Sequence, residues 1–414
     1  MCPVRSVVDH HSRAMGGRDP DEAYRVATPL EALFDLTFAT SFGLAAEQLA
    51  SALASGRYAA ALFGFTFASL AVCWAWASFS WFSSAYDTDD WIFRVLTMVQ
   101  MVGVLVLAIG LPRLFASLAR GDRLDNSVMV LGYVIMRVAL VLLWLRAARD
   151  DAARRRSCRI HAAVISIAQV GWVALILTRL SVSFAVAVGG ILVLIEICGP
   201  LLAERRTGGT LWHTHHIVER HGLFVLIALG EGVVGAAAAL SAVVDQQGWT
   251  LDASLVGIAG TGLVFGMWWL YDLLPSAPML RAHRDRAAVW GYGQMMIVVS
   301  TVATGAGLRV AAESIASHSR LSSFDAVLSA AVPVAGYLGL VYSLYWFLVR
   351  RIHRFHAWLL FVSGGVVTLA VLAALGGLDV ARCLVVLALA PAVTVVGYEL
   401  GYRHHADALA GGGA

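Results

Sequence analysis

Glu31 and Asp35 stand four residues apart in an otherwise apolar stretch. On a helix both carboxylates face the same way, where they would share a proton or bind a cation. Thr28-Pro29 just before them has the pattern of a helix N-cap followed by Pro at the first helical position. A second reading of Glu31 follows, as a favourable charge at a helix start among lipid headgroups. Arg137, Glu196 and Glu231 interrupt other long apolar runs. A charge at membrane depth costs about 2.5–3.5 kcal/mol on insertion scales, so each needs a partner, a hydrated cavity or a function. Two accounts stand for them. One is structural, an Arg137–carboxylate pair and a protonated, hydrogen-bonded Glu. The other is an ion or proton pathway of Glu31, Asp35 and Glu231 with Arg137 as counter-ion. Gln100, Gln169 and Gln294 either extend such a polar track or join neighbouring helices.

A second group precedes the Glu231 run: His213, His215, His216, Glu219, Arg220 and His221. With Asp87 and Arg94, the residues His216, Glu219 and Arg220 are expected to form a cytoplasmic gate. Histidines at this density have the donors for a transition metal or a pH sensor, but the spacing matches no standard site, and no metal or cofactor is expected. Asp87, Asp89 and Asp90 either coordinate magnesium or cap the following helix. HExxH, GxSxG and P-loop patterns are absent, so no enzyme activity is expected. Five scattered cysteines suit neither a disulfide framework nor a zinc site.

The elements that must hold these residues follow from hydropathy. The chain is 59% hydrophobic and 14% charged, against about 25% charged in a soluble domain. Apolar stretches fall at about 30–52, 58–83, 91–111, 124–146, 159–178, 181–203, 217–243, 252–274, 286–309, 325–349, 356–376 and 379–401. They predict an all-α polytopic membrane protein of about twelve transmembrane helices. Only Arg179 separates the fifth stretch from the sixth. The first 27 residues contain no apolar signal-peptide core, so the first span is expected to direct insertion.

All 30 basic residues are Arg. With the N-terminus inside, cytoplasmic segments hold 19 of them and the opposite side eight, which predicts both termini in the cytoplasm of an inner-membrane protein. The basic run Arg146–Arg159 favours a lipid surface as partner, not nucleic acid. Trp and Tyr at span ends form an interfacial belt, and Gly262-x-x-x-Gly266 permits close helix approach.

Motif pairs recur in one order at an offset of about 190 residues: Tyr86-Asp87 and Tyr271-Asp272, Gln100-Met101 and Gln294-Met295, Gly132-Tyr133 and Gly336-Tyr337, His161-Ala162 and His356-Ala357, Pro200 and Pro391. They predict two parallel six-helix repeats, 28–207 and 208–403, between cytoplasmic tails 1–27 and 404–414, related by an axis along the membrane normal.

Three stretches resemble the bacterial low temperature requirement protein A (LtrA) family. They are Thr28–Phe38, the Trp-rich segment through Tyr86-Asp87-Thr88-Asp89-Asp90 to Arg94 and Gln100-Met101, and His216-Ile-Val-Glu-Arg-His-Gly-Leu-Phe to Gly230-Glu231. Ala32 and His221 depart from the usual pattern without touching a carboxylate. The resemblance implies a multipass membrane protein and names no substrate. Together these features point to a transporter or an ion- or proton-translocating protein. The alternative is a non-transporting sensor or assembly factor acting through its Arg-rich cytoplasmic loops.

Overall fold

The computed structural model describes residues 13–19, 22, 25–121, 123–178, 180–207, 210–316, 321–350 and 354–411, the side chains of 205–207 and 402–411 excepted. Arg5, Arg179, Arg320 and Arg351, the side chains of Arg205, Arg206 and Arg403, and the outer parts of both predicted tails lie outside the described residues.

Among the described residues the apolar runs form twelve long helices, and one short helix joins them. These are α1 (Pro29–Ala54), α2 (Tyr58–Tyr86), α3 (Trp91–Arg120), α4 (Ser127–Asp150), α5 (Arg155–Thr178), α6 (Val182–Thr207), α7 (Thr214–Gln247) and α8 (Leu251–Asp272), then the short α9 (Ser276–Ala282), and α10 (Ala287–Ile315), α11 (Ser323–Val349), α12 (Arg354–Leu375) and α13 (Val380–Gly411). Among the described residues no strand forms. Polar residues in the short connections set the ends. Asp90 caps α3 by accepting from the Phe93 N–H, Thr250 caps α8 through Ala253, and Ser322 caps α11 through Asp325. Gly121 closes α3 in the left-handed conformation, at φ 77°.

Among the described residues eleven helices are long and apolar enough to cross a membrane. The expected twelfth, α1, has the length but is not among them: it carries Glu31, Asp35, Glu47 and Gln48 as well as Thr and Ser.

The chain divides into two compact units. The first comprises residues up to 41 and 71–220; the second, 42–70 and 221 onward. In the first, α3, α4, α5 and α6 pack as consecutive neighbours. Two glycines bring α3 and α4 together: a Cβ on Gly132 would lie 2.2 Å from the Leu107 nitrogen, and one on Gly103 2.7 Å from the Gly132 carbonyl. In the second unit α10, α11, α12 and α13 likewise pack in sequence order, and α8 lies against α13. Of the Gly262/Gly266 pair, only Gly266 makes a close approach, to Pro391.

Candidate functional site

The site grows from three helix ends within the first unit. Thr28 and Glu31 cap α1 reciprocally: the Glu31 N–H donates to Thr28 Oγ1 (3.2 Å) and the Thr28 N–H to Glu31 Oε2 (2.9 Å). Asp35 follows one turn later on the same face. On α2 a helical face carries Trp76, Phe79 and Ser83 at i, i+3 and i+7. The start of α7 is set by His213, whose Nδ1 accepts from the His216 N–H at 3.2 Å. Its proton therefore sits on Nε2, which donates to the Glu22 carbonyl at 2.8 Å. His216 and Arg220 then stand at i and i+4 on α7, matching the Glu31/Asp35 spacing on α1.

The two pairs face each other. Arg220 donates from Nη1 to Glu31 Oε1 (2.9 Å) and to Ser83 Oγ (3.0 Å), from Nε to Asp35 Oδ2 (3.1 Å), and from Nη2 to Asp35 Oδ1. Trp76 Nε1 donates to Asp35 Oδ1 at 2.6 Å, and His216 Nε2 to Glu31 Oε2 at 3.1 Å. The Arg220 guanidinium also lies 5.7 Å from the Trp76 ring centroid and 6.0 Å from that of Phe79. Glu31, Asp35, His216 and Arg220 all have 0% exposure. Two carboxylates thus share one guanidinium, and the His216 Nδ1 lone pair is buried without a partner.

Arg25 and Asp87 extend the cluster. Arg25 is buried and donates from Nη2 to the Ser83 carbonyl at 2.6 Å, while its Nε and Nη1 have no hydrogen-bond partner. Burial, with Arg18 nearby, pulls the Arg25 guanidinium down to about 10. Asp87 is buried, with Arg18 Nη1 3.9 Å away. Burial and the Glu31 carboxylate push the Asp87 carboxyl from its ordinary 3.8 up to about 6, against the pull of Arg25 and Arg18. Protonated Asp87 therefore favours the folded state fully below about pH 4, and that contribution is lost as pH rises through about 6. Asp87→Asn is expected to stabilise the detergent-solubilised protein by on the order of 1–3 kcal/mol at pH 7.5 and to change little at pH 4. Thermal unfolding at the two pH values checks this; equal shifts at both would contradict it.

The segment before α1 is tied to the same helix ends. The Ala27 N–H donates to Glu219 Oε2 (3.1 Å), the Arg18 N–H to the Ala85 carbonyl (2.9 Å), the Met15 N–H to Asp150 (3.0 Å) and the Arg13 N–H to Asp90 (3.0 Å). Arg146 bonds both Asp90 carboxylate oxygens and, through Nη2, the Arg13 carbonyl at 2.7 Å. Against the cost of burial, the bonds from Arg146, Phe93 and Arg13 hold the Asp90 carboxyl below its ordinary range. Arg94 lies apart from the cluster and forms an exposed, bidentate pair with Asp89 (2.9 Å for each bond).

A second polar centre of the first unit joins α4, α5 and α6. Glu196 Oε2 accepts from Tyr133 Oη and from Arg137 Nη2 (3.2 Å); its Oε1 accepts from Gln169 Nε2 (3.1 Å) and Trp172 Nε1 (3.0 Å). Arg137 Nη2 also donates to Tyr133 Oη at 2.5 Å. Within the first unit, the counter-ion of Asp35 is Arg220, and Arg137 belongs to Glu196. Gln100 is buried with its Nε2 unpartnered.

In the second unit Glu231 pairs with Arg309 of α10 at 2.7 Å. Gly43 and Gly305 make room for it: a Cβ on Gly43 would lie 3.3 Å from Glu231 Oε1, and one on Gly305 2.9 Å from the Glu231 Cβ. Gln294 Oε1 accepts from Tyr271 Oη at 2.9 Å. His221 packs against Trp290, with ring centroids 4.7 Å apart. Among the described residues no three His, Cys, Asp or Glu side chains are grouped to hold a metal ion.

Of the residues singled out from sequence, Glu31, Asp35, His216 and Arg220 come together, with Glu219 and Asp87 at their border. Sequence reading missed Trp76, Ser83 and Arg25, and Tyr133 and Trp172 around Glu196. The i, i+3, i+7 spacing on α2 was a usable signal for the first two; Arg25 lies outside any periodic run and left none.

The match to the family model described as bacterial low temperature requirement A protein covers residues 26–393. The chain is 26% identical over 277 residues to an uncharacterised protein, RA0937, of Rhizobium meliloti (strain 1021); the match takes in 64% of this chain and 62% of that relative's length. No solved structure matches. The family match begins just before the Thr28–Glu31 cap and takes in every member of the buried cluster but Arg25, which lies one residue before it, so the chain belongs to the bacterial low temperature requirement A family.

Proposed function

We propose that this multi-pass membrane protein moves a small cation, a proton or an inorganic ion, and that the Glu31–Asp35–Arg220–His216 cluster binds it. The observation that carries the reading is a charge imbalance at full burial. Glu31 and Asp35 oppose one guanidinium, that of Arg220, and all three side chains are fully buried. Uncompensated buried charge is strongly unfavourable, so one bound cation or one proton completes the site. His216 Nδ1 and the carboxylate oxygens are acceptors for it.

The architecture agrees with this role. Two tandem six-helix repeats are a common transporter plan, and α3–α6 and α10–α13 each pack in sequence order. The Arg excess on alternate loops supports an inner-membrane protein with both termini in the cytoplasm. In proteoliposomes under a pH or cation gradient, wild-type protein is expected to carry flux and Asp35→Asn to lose at least about 90% of it. Glu231→Gln in the same assay tests the Glu231–Arg309 pair. Wild-type flux no greater than that of empty liposomes, or Asp35→Asn equal to wild type, would overturn the reading.

A second reading, a sensor or assembly factor bound to anionic lipid, draws on the exposure of Arg149, Arg155, Arg156 and Arg159 around the α4–α5 connection. It predicts that growth phenotypes survive Asp35→Asn and fail when Arg154, Arg155 and Arg156 are neutralised.

A further inference from the structure

The second unit contains a cleft lined by residues of α8 and the segment after it, α11, α12 and α13. Its floor is apolar, from Leu270, Leu273 and Leu274. Its walls are aromatic: Tyr342 and Tyr345 of α11, His356 of α12 and Tyr398 of α13. These rings form a corner. His356 and Tyr398 lie nearly parallel, 14° between planes at 5.9 Å, and Tyr345 meets His356 edge-on, at 84° and 4.8 Å. Such perpendicular walls differ from an interfacial belt, whose rings point outward to lipid; Trp358 of α12, 64% exposed, is of that kind.

Among the described residues no carboxylate and no Arg lines the cleft. A strongly hydrated cation such as an ammonium or a metal ion would lose its water there without a counter-charge. A quaternary ammonium has no N–H to satisfy, is weakly hydrated, and is attracted by the negative faces of Tyr rings. Thr394 adds a hydroxyl beside the aromatic walls. Thr394 Oγ1 is bonded to Ser363 Oγ at 2.7 Å and so is fixed in place.

We infer that this aromatic corner is a binding site for a quaternary ammonium group, supplied by a free choline-like solute or by a choline lipid headgroup. The inference is independent of the cation pathway in the first unit and stands whatever the outcome there.

The test is equilibrium binding of labelled choline to the full-length protein in nanodiscs of phosphatidylglycerol. The competitor is 3,3-dimethylbutan-1-ol, which has the shape of choline without its charge. Choline is expected to bind saturably, and the neutral analogue to compete at least about tenfold more weakly. Tyr345→Leu and Tyr398→Leu should each weaken choline about tenfold, while Tyr345→Phe, which keeps the ring face, stays within about twofold of wild type. Variants are scored only if they elute as wild type in detergent; Tyr345→Phe keeps the test decisive if the leucine variants do not. Repeating the measurement in phosphatidylcholine nanodiscs separates the sources: displaced choline identifies the headgroup, undiminished binding the free solute. No saturable choline binding, equal competition by the neutral analogue, or a tenfold loss in Tyr345→Phe would each overturn the inference.

Discussion

Arg220→Met is expected to cost the protein roughly 3–5 kcal/mol, enough to abolish recovery of folded material in detergent. The substitution keeps the length and apolar stem of the side chain, so little packing is lost. What it removes is the guanidinium bonded to both Glu31 and Asp35, and with it the donor to Ser83 Oγ. Two fully buried carboxylates then face one another across one turn of α1. Arg220→Lys recovers only part of the loss, because an ammonium cannot reproduce the fork that reaches Asp35 through Nε and Nη2 while Nη1 reaches Glu31. Combining Arg220→Met with Glu31→Gln and Asp35→Asn should recover much of the stability, since the amides are neutral and Trp76 and Thr28 remain as donors. Recovery of folded protein in detergent, and thermal unfolding of what is recovered, check this for the three variants. A single Arg220→Met variant as stable as wild type would show that the pairing does not compensate the buried carboxylates.

The Arg137–Glu196 pair predicts a comparable effect with a different remedy. Arg137→Leu leaves the Glu196 carboxylate buried with Tyr133, Gln169 and Trp172 as neutral donors, and a loss of about 3–5 kcal/mol is expected. Glu196→Leu alone strands the buried guanidinium at similar cost. The double variant removes both charges and should lie within about 1–2 kcal/mol of wild type, because hydrophobic replacement of a whole buried pair is often nearly neutral. A coupling energy near zero across this cycle would mean that the two side chains do not compensate each other. The double variant also separates the centres: built from neutralised charges, the Arg137–Glu196 pair is expected to leave ion flux intact, whereas Asp35→Asn removes it.

Hydropathy made the helices legible because membrane spans must be long and nearly uncharged. The stretch read as 58–83 became Tyr58–Tyr86, and 325–349 became Ser323–Val349. Even the break marked only by Arg179 falls between helices, since α5 ends at Thr178 and α6 begins at Val182. The Glu31/Asp35 face was legible for the same reason, because helical period alone decides which residues of one helix lie together. Partner identity was not. Arg220 and Asp35 are 185 residues apart, and which helix faces which depends on rotations that one-dimensional periodicity does not encode. The sequence offers Arg137 a carboxylate partner or a counter-ion role without saying which carboxylate it meets; in the structure Glu196 receives Arg137, and Asp35 is held by Arg220. Arg309 shows the same limit. Hydropathy puts it at the edge of a span, whereas in the structure it lies within α10 and reaches Glu231. Glu31 does sit at a helix start, where its Oε2 takes the Thr28 N–H, but it is fully buried and not among headgroups, with His216 on the same oxygen and Arg220 on Oε1.

Charge displacement in the membrane tests the central claim most directly, because it needs no knowledge of the substrate. Proteoliposomes adsorbed to a solid-supported membrane are jumped in pH, and then in alkali-cation concentration, while the transient current is recorded. A buried site one positive charge short of neutral predicts a saturable transient for wild type that is lost in Asp35→Asn and in Glu31→Gln but kept in the Arg137→Leu, Glu196→Leu double variant. Wild-type currents no larger than those of empty liposomes for every ion, or an undiminished transient in Asp35→Asn, would contradict the account.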